Sequence, residues 1–125
     1  MALIFLNGGG MSGGPLHPLL RGAPLIRVAL SAPRYRFFAV GGEFPAMLEV
    51  GDGGHQVTGE VYDVPLEVLL HDLLPAEPPE LELGIVELDD GTACLATVLR
   101  RDYTRTAELI DISRYVGWRA YLAGR

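Results

Sequence analysis

Apolar and polar positions along the chain change period several times, and each change predicts an element. Ala2–Leu6 is a short unbroken apolar run closed by Asn7-Gly8, which predicts a buried strand. Ala23–Leu30 predicts a second strand, and Tyr35–Val40, after Pro33, a third. On the third, Tyr35, Phe37 and Ala39 share one face and Arg36, Phe38 and Val40 the other, so both faces carry apolar groups. Residues 41–50 read as a loop leading into a short extended piece, and Gly51-Asp52-Gly53-Gly54 as a turn. Gln56–Val64 predicts another strand, with Gly59 marking a bulge or a close backbone approach. The period then lengthens. Leu66, Leu69, Leu70, Leu73 and Leu74 recur at helical spacing between Pro65, which suits a first turn, and Pro75, which ends the helix. Pro75–Glu80 is a stiff acidic linker, and Leu81–Leu88 and Thr92–Leu99 flank the hairpin turn Asp89-Asp90-Gly91. Asp111–Gly124 predicts a C-terminal helix with Tyr115, Trp118 and Leu122 on one face. About six strands and two helices give an α+β fold. Strands apolar on both faces and joined by short loops suit a small mixed β-barrel partly covered by helices.

Composition narrows the functional classes. A chain of 125 residues suits one domain over residues 1–125, and 49% hydrophobic residues supply a core. The net charge of −6 and the absence of a basic cluster exclude a binder of the nucleic-acid backbone. The chain has ten Arg and no Lys, a bias that fits a GC-rich bacterial genome. No stretch approaches the roughly 20 apolar residues needed to span a bilayer. With no secretory leader pattern, the expectation is a cytoplasmic protein without membrane contact. Cys94 sits in an apolar run and reads as a buried inert thiol. His17, His55 and His71 lack metal-ligand spacing, so no metal is expected. Ser12, Ser31 and Ser113 lack a nucleophile-elbow context.

Three features could carry chemistry. Five of the seven residues 8–14 are Gly. Such a loop lets backbone N–H groups converge on a carboxylate or oxyanion, or it is simply a mobile connection. Without Lys it is not a nucleotide phosphate loop. Glu77, Glu80 and Glu82 are carboxylates spaced by prolines. One of them, desolvated, would have a raised pKa and act as general base; the alternative is a solvated acidic loop. Arg34 and Arg36 flank Tyr35, and Arg119 follows Trp118; these suit a carboxylate clamp or pairing with the acidic excess.

The segments Asn7–His17, Ser31–Val40 and Asp111–Gly124 together resemble the C-terminal domain of allophanate hydrolase and its stand-alone relatives, within the gamma-glutamylcyclotransferase-like group. The resemblance implies a small mixed β-barrel and no cofactor. It also implies a glycine loop whose amides hold a substrate carboxylate, here Asn7, Gly8, Gly9 and Gly10; Met11 beside them and, from the clamp reading above, Arg34, Tyr35 and Arg36 are further candidate binding residues. The group's L-D-x-x-E-G motif corresponds to Leu73–Pro78, which puts Glu77 on the catalytic position, with Glu80 and Glu82 as substitutes. Asp and Gly of that motif are lost, and Gly10 stands where related domains often carry His. The activity implied is decarboxylation of N-carboxyurea-type compounds, or else gamma-glutamyl cyclotransfer. The partners implied are a small carboxylate or amide and a separately encoded amidase, for which this chain would be a non-catalytic accessory subunit; a homodimer is also open to it.

Overall fold

The apolar run at the N-terminus becomes the central strand of a sheet. The structure, a computed structural model, describes residues 2–103 and 108–125. Among them, β1 (Ala2–Leu6) pairs antiparallel with β5 (Thr58–Val64) and parallel with β7 (Ala93–Leu99). β2 (Leu25–Leu30) and β6 (Leu81–Glu87) complete a five-stranded mixed sheet in the order β2-β5-β1-β7-β6. A second, antiparallel sheet has the order β4-β3-β8, from β3 (Tyr35–Val40), β4 (Phe44–Glu49) and β8 (Leu109–Asp111). Ile4 and Phe5, adjacent and pointing to opposite faces of β1, are both fully buried, as a central strand covered on both sides requires.

The α+β class holds, but the strands do not close into a barrel. The two sheets face each other across a core that includes Phe5, Phe37, Met47, Val61 and Val86. A smaller cluster of Val40, Ala46, Leu81 and Leu99 joins β3 and β4 to β6 and β7. The two edges of the five-stranded sheet meet only at the isolated bridge Ser31 to Leu88, just past the ends of β2 and β6, among the described residues. Pro45, in the edge strand β4, has no N–H to offer a further strand.

Two expected helices come out shorter or altered. The helical run begins with α1 (Leu66–Val68), widens over Leu69–Leu73 and tightens over Leu74–Ala76. Pro75 lacks an N–H and its ring crowds the carbonyl four residues back, so a regular α-helix is not sustained there. Leu69 and Leu73 are buried, whereas Leu66 and Leu70 face solvent. At the C-terminus, β8 takes the start of the segment expected to be helical, and α2 (Trp118–Gly124) begins only after the extended Gly117. The segment 41–50 forms the full strand β4 rather than a loop with a short extended piece.

Candidate functional site

The glycine loop leaves the end of β1 and is shaped by its own carbonyls. Gly8 O accepts from Met11 N–H at 3.1 Å, Gly9 O from Leu16 N–H at 2.9 Å, and Gly10 O from His17 Nδ1 at 3.0 Å. The turn is too tight for side chains. A Cβ on Gly14 would strike the Gly9 carbonyl, and one on Gly8 would sit 2.6 Å from the Pro45 ring. With the carbonyls turned into the loop, the N–H groups of Gly8, Gly9 and Gly10 donate to no acceptor among the described residues.

Those three glycines line a cavity of about 290 Å³, together with Asn7, Phe44, Pro45, Glu77, Thr97 and Trp118. Glu77 follows the tightened turn Leu74–Ala76, and its own backbone is extended (φ −72°, ψ 148°), as the Pro78 after it favours. Burial alone pushes its carboxyl up to about 7, and no cation or hydrogen-bond donor among the described residues offsets that cost. Glu77 is thus a poorly solvated carboxyl in a cavity also lined by the three glycines whose N–H groups are unused. Glu43, on the β3–β4 turn, also borders the cavity and is exposed.

The other residues anticipated from sequence are placed as follows. Asn7 is buried at the cavity wall and donates from Nδ2 to Met47 Sδ at 3.1 Å. Met11 and Met47 are core residues and neither lines this cavity. Glu80 and Glu82 are outside it, and Glu82 lies 3.7 Å from Arg100. Arg34, Tyr35 and Arg36 are elsewhere and already engaged. Arg34 pairs with Glu49 and Glu87, the Tyr35 hydroxyl accepts the Glu87 N–H, and Arg36 donates twice to Asp111. Among the described residues no group of His, Cys, Asp or Glu is arranged to hold a metal ion, and no helix is long and apolar enough to cross a membrane.

Sequence reasoning missed Glu60. This buried carboxylate on β5 accepts from the Ser12 N–H at 2.7 Å and the Tyr62 hydroxyl at 2.8 Å, with Arg119 Nη1 at 3.4 Å. Burial pushes its pKa up, but these three donors outweigh burial and hold the carboxyl below its usual range. The available signal was a lone Glu on the same strand face as Tyr62 and Val64.

The fold is shared with solved structures. A uropathogenic E. coli-specific protein superposes with a TM-score of 0.89 at 28% identity, covering 99% of this chain and 97% of that one. Kluyveromyces lactis allophanate hydrolase superposes with a TM-score of 0.86 at 26% identity over 97% of this chain, which spans only 21% of that enzyme. A mouse AIG2-like protein, at 24% identity and a TM-score of 0.62, covers 78% of this chain and 76% of its own and shares the fold. No curated protein sequence matches the chain. The model of the allophanate hydrolase C-terminal domain matches residues 2–123, and the chain belongs to that family.

Proposed function

We propose that this chain is a single small-molecule acid–base domain that acts, without a cofactor, on a carboxylated urea-type amide. The N–H groups of Gly8–Gly10 hold an oxygen of the guest, and Glu77 moves the proton. The observation that supports this most is the pairing, in one cavity, of unused backbone donors with a carboxyl raised to about 7. A group titrating there is partly protonated at neutral pH, which suits a general acid and base alike. For an N-carboxylated guest the step balances without further reagents. Glu77 gives its proton to the nitrogen, the C–N bond pair passes to that nitrogen, and carbon dioxide leaves. Water then restores the carboxyl.

The test is carbon dioxide and ammonia release from a panel of N-carboxylated ureas and gamma-glutamyl amines, by the native protein and Glu77→Gln. The expected result is release from an N-carboxylated urea, reduced about 100-fold or more in Glu77→Gln, the usual scale of a lost general acid. Equal release by both proteins, or release only from gamma-glutamyl amines, contradicts the proposal.

A second reading is favoured by one comparison. In Kluyveromyces lactis allophanate hydrolase the matching region is a fifth of a longer chain, 21% of it. On that reading this chain is an accessory subunit of a separately encoded amidase, and a stable complex of the two, with no turnover by this chain alone, is its signature.

A further inference from the structure

The glycine loop is held from outside the cavity by groups that the proposed chemistry does not use. The Ser12 backbone is gripped on both sides of its Cα. Its N–H donates to Glu60 Oε1 at 2.7 Å, and its carbonyl accepts from Arg119 Nη2 at 2.6 Å. Arg119 Nη1 closes the ring on Glu60 Oε2 at 3.4 Å. Behind Glu60, the Tyr62 hydroxyl donates to Oε1, and the Tyr62 ring meets His17 edge-on at 5.4 Å between centroids. His17 in turn holds the Gly10 carbonyl. The two peptide groups that flank the Ser12 Cα are thus fixed by an anion from β5 and a cation from α2. The Gly10 carbonyl is fixed by a ring packed on the same Tyr62.

We infer that Glu60 and Arg119 are positioning residues that lock the glycine loop into its cavity-facing shape, so that the Gly8–Gly10 N–H groups are presented rather than collapsed onto the loop. Neither side chain lines the cavity that holds Glu77. Their effect on a guest passes through the Ser12 backbone, and this assignment rests on the reading of Gly8–Gly10 as the guest's donors. A five-glycine loop has unusual conformational freedom, and each glycine costs entropy to order. Charge-assisted bonds to both the N–H and the C=O of one residue restrain such a segment. They also give Arg119, in the Gly-Trp-Arg-Ala-Tyr-Leu segment, a task that Lys performs only in part, because the same guanidinium reaches the carboxylate and the carbonyl through two different nitrogens.

The experiment compares native protein, Arg119→Ala, Arg119→Lys and Glu60→Gln by amide NMR, with oxamate, a carboxylate bearing an amide, as probe. Loss of a charge-assisted bond predicts that exchange of the Ser12 amide proton rises about tenfold in Arg119→Ala, with oxamate binding weakened about tenfold through the Gly8–Gly10 resonances. Arg119→Lys recovers only part of this. Glu60→Gln, close to isosteric, behaves like Arg119→Ala while the amide spectrum stays dispersed. The Glu77 titration midpoint, governed by a different segment, stays where it is in every variant. Unchanged Ser12 exchange in both Arg119→Ala and Glu60→Gln overturns the assignment. If oxamate shifts no Gly8–Gly10 resonance of the native protein while Ser12 exchange still rises in the variants, the guest reading fails and the loop-locking role stands.

Discussion

Glu60 and Glu77 sit on either side of one glycine loop and are driven in opposite directions. Both leave water on folding. Glu60 meets a backbone N–H, a phenol and a guanidinium, and its carboxyl is held below the usual range despite the burial that opposes it. Glu77 meets none of these among the described residues, and burial lifts it to about 7. Burial alone therefore does not decide what a carboxylate does in this molecule; the supply of donors does. The saturated carboxylate is spent on architecture, since every oxygen is committed to holding Ser12, Tyr62 or Arg119. The starved one keeps free lone pairs and an exchangeable proton, which is the condition for chemistry.

The contrast can be broken from either side. Beyond the loss of turnover expected in Glu77→Gln, the largest stability effect is expected at Glu60. Glu60→Ala strands the Ser12 N–H and the Tyr62 hydroxyl, a loss of about 2–3 kcal/mol in urea unfolding on the scale of unsatisfied buried partners. A loss below the error of the measurement would mean that water replaces the carboxylate freely. Gly8→Ala comes next. Its new methyl must displace the Pro45 ring from 2.6 Å, and overpacking of that kind costs about 1–3 kcal/mol. The same methyl narrows the cavity, so guest binding falls with stability; wild-type binding in Gly8→Ala would show that the loop yields elsewhere.

The third effect is a sign rather than a size. A carboxyl raised on folding contributes stability below its unfolded value of 4.5 and loses it as pH climbs through about 7. Glu77→Gln removes that loss, so the variant gains stability over the native protein above about pH 7 and not in acid. Glu60 works the other way, because its folded value lies below 4.5. Its contribution is present above that value and disappears as pH falls further, and Glu60→Gln flattens the acid limb. Urea midpoints across the pH range resolve the two slopes, and matching slopes for both variants would erase the distinction drawn here.

Much of this arrangement was legible in the sequence, and the part that was not has a common cause. Ala2–Leu6 and Tyr35–Val40 announced their strands through short apolar runs with clear stops, and both have those bounds in the structure. Glu77 and the glycine loop were legible as candidates because prolines and glycines mark backbone shape locally. Their meeting in one cavity was not, since 67 residues separate Gly10 from Glu77. Glu60 was hidden for the same reason: its partners Ser12 and Arg119 lie 48 and 59 residues away. Arg34 and Arg36 looked available as carboxylate clamps, and only the fold shows Glu49, Glu87 and Asp111 already holding them. The Asp111–Gly124 segment has a helical apolar spacing, yet Asp111 ends β8, residues 113–117 form turns and bends, and the helix starts only at Trp118 after the extended Gly117.

The most direct test of the central claim is a carbon-13 NMR titration of the Glu77 carboxyl in the native protein, with Glu60 as internal reference. The account predicts a Glu77 midpoint near 7 beside a Glu60 midpoint below 4.5. A Glu77 midpoint at its unperturbed 4.5 would contradict it, because a carboxylate that well solvated would have neither the proton nor the enclosed setting that the proposed chemistry requires.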